Sequence, residues 1–521
     1  MMHGGEKSDP AIVAGKPANK ADLPFVALAK AGQSAAEPVE PRAGAKENAL
    51  EDGTSRTPSR IDVHSGLARV RQAAQGLKKQ KFTALLHHVD AELLGTAYLA
   101  LKRDAAPGVD GVTWWDYGED LERKLEDLHG RIHRGAYRAQ PSRRKFIPKP
   151  DGRKRPLGIA ALEDKIVQRA LVEVLNAIYE EDFLGFSYGF RPGRGQHDAL
   201  DALAVGIDSM KVNWIVDADI AGFFDAVSHD WLIRFVELRI GDKRVVRLIR
   251  KWLKAGVMDE DGRARPTRAG TPQGAVISPL LANIYLHYVF DLWAHQWRQR
   301  HARGNVTIVR YADDIVVGFA HKAEAERFLA DLHARMARFA LTLHPDKTRL
   351  IEFGRHAAGE RKARGLGKPE TFNFLGFTHI CGRTRRGGFL LRRKSRRDRM
   401  RAKESDIKEE LRRRRHETIP DQGQWLGQVV GGWFNYHAVP TNIAALSRFH
   451  HRVGELWLRA LRRRSQKDKT LWKDMRAIGE RWLPSPRILH PWPRQRFAVK
   501  HPRWEPYAGI PPVRFCAGGA Q

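Results

Sequence analysis

Apolar positions recur along the chain with two periods, and each period predicts one kind of element. Apolar and β-branched runs predict strands over 214–220, 306–310 and 315–319, because such residues favour a pleated, buried surface. Apolar residues at helical spacing predict helices over 121–132 and 164–179. The pattern indicates an α+β fold with a central antiparallel sheet and helices behind it.

Two adjacent carboxylates interrupt the apolar pattern between the second and third of these strands. The segment Tyr311-Ala312-Asp313-Asp314 joins two apolar runs, which favours a hairpin with the acids at its tip. Carboxylate oxygens suit Mg²⁺, an ion that shares its ligands with substrate phosphates. The competing interpretation is that both acids are ordinary turn residues, since Asp is common in turns.

A third acid ends the strand that begins at Trp214. Asp219 lies in an otherwise buried strand, which tolerates a carboxylate only if something neutralises it, and a divalent cation does so. Asp219 is therefore the natural third ligand. Asp217 and Asp225 are interpreted as structural acids.

Eight segments, in order along the chain, carry a resemblance to a known family. They lie at 106–111, 155–159, 187–193, 219–225, 270–280, 311–314, 343–348 and 374–377. Together they resemble reverse transcriptases encoded by bacterial group II introns, over a stretch from about residue 80 to the end of the sequence. Eight ordered segments make chance a poor explanation, whereas any single one would be weak.

The resemblance implies a right-hand polymerase with fingers and palm over 61–380, an α-helical thumb and maturase domain over 381–480, and a DNA-binding tail over 481–521. Residues 1–60 are rich in Ala, Pro, Gly, Lys and Glu without apolar periodicity, which predicts a disordered leader. The two cysteines form no Cys-x-x-Cys pair, so a paired-cysteine metal knuckle cannot assemble. The chain thus resembles the branch of the family that lacks an endonuclease.

The resemblance also implies the chemistry of the acidic residues. Asp219, Asp313 and Asp314 would be catalytic. Two Mg²⁺ ions, with Mn²⁺ as a possible substitute, would be held by these three residues together with Ile220. A primer 3′-oxygen would then attack the α-phosphate of a dNTP.

Candidate residues for binding the incoming nucleotide are Lys149, Arg155, Phe224, Gln273 and Lys347. Lys149 and Arg155 suit the triphosphate, with generic phosphate-backbone contact as the alternative. Phe224 would exclude a 2′-hydroxyl, and Phe223 is the better core residue because adjacent strand residues face opposite ways. Gln273 would contact nucleotide or template. Lys347 would protonate pyrophosphate or be a solvated loop lysine.

The formal net charge of +31 calls for a polyanionic partner, and nucleic acid is expected because phosphate neutralisation dominates such affinity. The candidate RNA-binding residues are Arg392, Arg393, Arg396, Arg397, Arg463, Arg464 and Lys467. The expected partners are group II intron RNA, an RNA template with a DNA primer, dNTPs and target DNA. The oligomeric state stays open.

No apolar run is long enough to span a bilayer, and the small number of cysteines indicates a reducing cytoplasm, which the resemblance implies is bacterial. The resemblance implies a polymerase and maturase that serves its host intron. A domesticated relative acting in phage defence or RNA spacer acquisition stays open. A pure RNA-binding splicing factor would be expected to have lost metal-ligating acids, and here all three are intact. An RNA-dependent RNA polymerase would favour Gly-Asp-Asp in the turn and would lack a large ring at the position of Phe224.

Overall fold

The computed structural model describes residues 58–148, 154–259, 261–465 and 470–500. The predicted disorder of residues 1–60 falls almost entirely outside the described residues. Lys149, Lys467 and the part of the predicted tail beyond residue 500 also lie outside them.

The helices of the described residues are named in chain order. They are α1 (Pro58–Gly76), α2 (Ala91–Leu99), α3 (Trp114–Gly118), α4 (Leu121–His133), α5 (Leu162–Asp182), α6 (Gln196–Ser209), α7 (Phe223–Ala226), α8 (His229–Glu237), α9 (Lys243–Lys254), α10 (Ser278–Leu286), α11 (Leu292–His301), α12 (Lys322–Arg338), α13 (Ala357–Ala363), α14 (Arg397–Arg413), α15 (Ile419–His437), α16 (Ile443–Arg462), α17 (Trp472–Trp482) and α18 (Pro493–Lys500). A 3₁₀ turn spans Leu86–His88, and a π-helical segment, His287–Asp291, joins α10 to α11.

The strands are β1 (Ser142–Pro148), β2 (Lys154–Ile159), β3 (Trp214–Asp219), β4 (Val257–Met258), β5 (Ala264–Arg265), β6 (Val306–Tyr311), β7 (Asp314–Phe319), β8 (Arg349–Glu352), β9 (Phe372–Phe374), β10 (Phe377–Arg383) and β11 (Phe389–Ser395). They form three sheets, with the orders β2-β1-β4-β5, β6-β7-β3-β8 and β11-β10-β9. Helices together with largely antiparallel sheets confirm the predicted α+β class.

The sheet β6-β7-β3-β8, called here the central sheet, is buried on both faces. Val216, Ile308 and Val317 pack into one core with helices α5, α8, α10 and α12. Ile215 and Val316 pack into a second core with α6. Burial on both faces explains why β6 and β7 read as nearly continuous apolar runs rather than as alternating ones.

The sheet β11-β10-β9 corrects the domain boundary expected at 380/381. That boundary falls inside β10, whose residues pair in register with both β9 and β11. Phe372, Phe374 and Phe377 from this sheet pack into the same core as Ile215 of the central sheet. The composition becomes basic before the structural unit ends, because β11 carries exposed cations on a strand whose other residues are buried or half-buried.

Helices α14 to α17 form a helical bundle with a core of its own. Leu411, Val430, Phe449 and Trp457 contribute one large apolar side chain each to this core. The buried Trp457 indole N–H donates to Gln422 Oε1 at 2.8 Å, which satisfies both polar groups inside it. The aromatic stripe of α15 therefore packs helices together. None of the described helices is long and apolar enough to cross a membrane.

One buried histidine makes folding stability depend on pH. His379 of β10 is fully buried and stacks on Phe372 with 4.7 Å between ring centroids. Burial lowers its pKa to about 3, with the charge of Arg393 as a smaller cause. The neutral ring therefore stabilises the fold at and above the unfolded-state pKa of 6.5, and this contribution is lost as the pH falls below 6.5.

We expect His379→Phe to abolish this part of the pH dependence. Between pH 7 and pH 5 the histidine should cost the native protein about 2 kcal/mol of unfolding free energy, and the phenylalanine variant should lack that loss. Urea denaturation at both pH values measures the difference. His333→Phe, at an exposed position of α12, is the matched control and should keep the native dependence. Identical pH dependences in all three proteins would contradict the assignment.

Candidate active site

The hairpin β6–β7 presents its two acids at one end of the central sheet. Tyr311 and Asp314 pair at the end of the ladder, so Ala312 and Asp313 form a two-residue turn. Ala312 has φ of +56°, a left-handed conformation that is strained for a residue with a Cβ. Asp313 and Asp314 are both half-buried. The turn therefore holds two adjacent carboxylates at the rim of a rigid sheet.

The pairing of β3 with β7 brings the third acid to the same place. Asp219, the last residue of β3, lies directly opposite Asp314 in the antiparallel register. The two residues are 95 positions apart in the sequence, from 219 to 314, yet they are neighbours across one strand pair. The structure thus brings the three acidic residues that the sequence analysis selected to the same end of the sheet.

Asp219 forms an ion pair with a lysine side chain. Lys347 Nζ lies 2.8 Å from Asp219 Oδ2, and the two side chains are 52% and 25% exposed. The loop that carries Lys347 is tied to the end of β3, because the His344 N–H donates to the Asp219 carbonyl at 2.7 Å. Lys347 is therefore a partner of the acidic cluster, and its role as a proton donor stays a prediction.

The donors present fit a hard divalent cation by their chemistry, since carboxylate oxygens are what Mg²⁺ prefers. Across the described stretches of chain, no three His, Cys, Asp or Glu side chains already form a group that could hold an ion. Ile220 has no side-chain oxygen, and its side chain is buried in the core, so only its backbone carbonyl could act as a ligand. Two ions held by this set therefore stay a prediction.

Asp217 lies two residues before Asp219 on the same strand. Burial, the largest cause, raises its pKa to about 6, and Arg349 at 3.5 Å opposes the shift. Asp217 is thus paired with Arg349, and its structural role stays a prediction.

Phe223 and Phe224 lie in the short helix α7 and not in a strand, so the prediction that they face opposite sides of a strand was wrong. Phe223 is nevertheless buried in the core, while Phe224 is half-buried. The Thr271 N–H donates to the Phe224 carbonyl at 2.7 Å, which joins the segments 219–225 and 270–280 in space. A role for Phe224 beneath the sugar stays a prediction.

Gln273 lies in a turn that touches strand β2. The Gly158 N–H donates to the Gln273 carbonyl at 2.6 Å. Gly274 has φ of +110°, and a Cβ there would lie 2.8 Å from the Gly158 carbonyl oxygen, so only glycine fits without a shift. Arg155 lies on β2 opposite Ile147, close in sequence to this contact.

Several candidate RNA-binding cations differ in their surroundings. Arg393 is only 2% exposed and forms a buried ion pair with Asp201 at 3.0 Å, so it is not on a surface that RNA could reach. Arg396 binds Asp398, and Arg464 Nη2 donates to the Glu417 carbonyl at 2.5 Å. Arg392, Arg397 and Arg463 are exposed.

The described part of the predicted C-terminal tail packs against α6. Arg494 binds Asp208 at 2.5 Å, Arg496 binds Asp201, and Phe497 is buried in the core beside α6. Asp201 therefore receives cations from both β11 and α18. Sequence reasoning missed this arrangement, because an acid within an apolar helix gives no signal about which distant cations will neutralise it.

Sequence reasoning also missed Arg310, which lies next to the catalytic candidates. Arg310 is fully buried within β6. The signal available in the sequence was a lone arginine inside an apolar strand, a position where a charge persists only with buried partners.

Comparisons with known proteins identify a matching family and several relatives of this chain. A reverse transcriptase (RNA-dependent DNA polymerase) family matches residues 147–379, which include β3 and the β6–β7 hairpin. Protein YkfC of Escherichia coli strain K12 is 36% identical over 283 residues, covering 48% of this chain and 74% of that protein. Group II intron-encoded protein LtrA of Lactococcus lactis subsp. cremoris is 36% identical over 223 residues, covering 42% of this chain and 37% of LtrA.

A plant relative extends the same likeness. Nuclear intron maturase 3, mitochondrial, of Arabidopsis thaliana is 27% identical over 124 residues, covering 24% of this chain and 17% of that protein. The chain thus aligns with most of YkfC but with well under half the length of the two intron proteins. The family match and these relatives agree with the paired acids at the rim of the central sheet, and the chain belongs to the group II intron reverse transcriptases and maturases.

Proposed function

We propose that this protein is an RNA-directed DNA polymerase and intron maturase, which assists splicing of a group II intron and copies the intron RNA into cDNA during retrohoming. The observation that carries the polymerase assignment is the register that sets Asp219 opposite Asp314. In this proposal the central sheet is the palm, β1 and β2 belong to the fingers, and the helical bundle is the thumb. The proposed setting is the bacterial cytoplasm.

Each site residue has a task in the proposed reaction. Mg²⁺, when bound, would lower the pKa of the primer hydroxyl and neutralise the leaving pyrophosphate. Asp219, Asp313 and Asp314 would hold the ions at the rim of the sheet. Lys347, which sits within 2.8 Å of Asp219, is close enough to the same rim to deliver a proton to the departing oxygen. Phe224 would restrict the sugar to a deoxyribose.

The maturase assignment depends on exposed cations beyond the polymerase rim. Arg392 and Arg397 are exposed at the junction between β11 and α14. Helix α14 itself carries the acids Asp398, Glu404, Asp406, Glu409 and Glu410 among its cations. The proposed RNA contact is therefore centred on the start of α14, where positive charge is least opposed.

We expect Asp313→Asn to lower primer extension on an RNA template by at least about 100-fold, because loss of a ligand removes several kcal/mol of transition-state stabilisation. Extension of an annealed DNA primer with dNTPs measures the effect. Asp225→Asn, which neutralises an exposed acid on nearby α7, is the matched control and should retain activity. Retained extension in Asp313→Asn would contradict the site.

We expect Phe224→Ala to reduce the preference for dNTPs over rNTPs by about 10-fold or more, because a smaller side chain leaves room for a 2′-hydroxyl. The ratio of kcat/KM for a matched dNTP and rNTP measures this preference. An unchanged ratio, with kcat/KM for the dNTP near the wild-type value, would show that Phe224 only fills space.

We expect the double variant Arg392→Gln/Arg397→Gln to bind RNA more weakly and to reduce the slope of log affinity against log salt by about 2, because each arginine would no longer neutralise one phosphate. Filter binding of a structured RNA over a range of salt concentrations measures this slope. Lys322→Gln/Arg327→Gln removes the same charge from exposed positions of α12 and should leave the slope unchanged. Equal reductions in both double variants would mean that only net charge matters.

A further inference from the structure

A buried polar cluster lies directly behind the acidic turn. At its centre is Arg310 of β6, a fully buried side chain whose five N–H groups all donate hydrogen bonds. The acceptors are Asp291 Oδ1 at 2.7 Å and Oδ2 at 2.6 Å, Asn283 Oδ1 at 3.0 Å, Ser187 Oγ at 2.7 Å and the Ala312 carbonyl at 3.1 Å. No donor of this guanidinium is left over for solvent or ligand.

The bond to Ala312 connects this cluster to the acidic turn. Ala312 is the residue with φ of +56°, and a left-handed conformation costs free energy when the residue carries a Cβ. Its carbonyl immediately precedes Asp313 in the chain. A donor fixed at that carbonyl therefore restrains the peptide that sets the direction of both carboxylates.

The loop before α6 closes the other side of the turn. The Tyr188 N–H donates to the Arg310 carbonyl, and the Arg310 N–H donates to the Phe186 carbonyl, each at 2.9 Å, so this loop runs beside β6 like an additional strand. A Cβ on Gly189 would lie 2.3 Å from the Ala312 amide nitrogen. This approach is possible only for glycine, and it leaves the turn little room to relax.

Asn283 joins the loop to the guanidinium. Its side-chain nitrogen donates to the Gly189 carbonyl at 2.7 Å, while its oxygen accepts from Arg310. One buried amide thus links the helix, the loop and the strand that surround the turn.

The π-helical segment explains how one helix supplies two of the partners. Asn283 and Asp291 are eight residues apart, and in a regular α-helix their directions would differ by about 80° around the axis. The segment His287–Asp291 has wider turns, which reduces this offset so that both side chains reach the same guanidinium. The irregular helix is therefore part of the device that holds Arg310.

We propose that Arg310 is a positioning residue, which acts through the Ala312 carbonyl to hold Asp313 and Asp314 in the geometry that binds divalent ions. The inference rests on the proposed polymerase function and names the part of the molecule that orders its metal ligands. Displacement of a catalytic group by a fraction of an ångström is enough to weaken its site, so a restraint one residue from the ligands has a direct effect on them.

The test is direct Mn²⁺ binding by the full-length protein, followed by the electron paramagnetic resonance signal of free Mn²⁺. The relevant Mn²⁺ sites are those that are present in the wild-type protein and lost in Asp313→Asn. We expect Arg310→Lys, which keeps the charge but removes the planar fork, to weaken Mn²⁺ binding at those sites by about 10-fold while primer–template affinity stays within about 2-fold of the wild type.

A matched control separates positioning from general stability. Arg239 forms a second buried fork with Asp182, at 2.7 Å, and its other hydrogen-bond acceptors are the Leu77 and Gln80 carbonyls rather than residues of the turn. Arg239→Lys should destabilise the protein to a similar degree but leave Mn²⁺ affinity unchanged, at a temperature where circular dichroism shows both variants folded. Equal weakening in the two variants, or wild-type affinity in Arg310→Lys, would overturn the proposal.

A milder variant covers the case in which Arg310→Lys does not fold. Asn283→Ala keeps the Arg310–Asp291 pair and removes only the amide that links it to Gly189, and it should weaken Mn²⁺ binding by about 3-fold. Unchanged binding in Asn283→Ala would then overturn the proposal. Absence of any Asp313-dependent Mn²⁺ site in the wild-type protein would instead count against the proposed function itself.

Discussion

The antiparallel pairing of β3 with β7 fixes where the acids of the candidate site lie. Its register sets Asp219 opposite Asp314, and a slip of one residue would turn every side chain of β3 to the other face of the sheet. Such a slip is opposed on both sides, because Ile215 and Val216 are buried in two different cores. The acids that repel one another are therefore held together by apolar packing, and Lys347 supplies compensating charge.

Much of this could be predicted from sequence, because it depends on local periodicity. The hairpin, β3 and helix α5 lie where apolar spacing placed them, and the two acids occupy the turn as expected. The apolar run of β3 continues into Phe223 and Phe224, so apolar spacing predicts that they are strand residues. The left-handed Gly222 ends the strand and starts a helical turn instead. The backbone conformation of Gly222 thus determines that a helical turn forms here, which apolar periodicity could not predict.

The features that escaped prediction all depend on contacts between distant parts of the chain. The position of Arg310 inside an apolar strand indicates that it needs a buried partner, but only tertiary structure shows that Asp291 pairs with Arg310 and that Asp201 pairs with Arg393. The same holds for α18, whose Arg494 and Arg496 form ion pairs with acids of α6. In a chain this basic, the cations that can bind nucleic acid are the exposed ones that are not already paired with buried acids.

We propose that Asp219 and the Asp313–Asp314 turn share bound ions at one rim of the sheet. Fe²⁺ substituted into such a site reacts with added hydrogen peroxide to give Fe³⁺, hydroxide and a hydroxyl radical, which cleaves the nearest backbone, so the cleavage positions locate the ion. We expect cuts at both β3 and the β6–β7 turn, which Mg²⁺ should suppress by competition and which should be absent in Asp313→Asn. Cleavage confined to one of these segments, or cleavage unaffected by the substitution, would show that Asp219 and the turn do not share the ions.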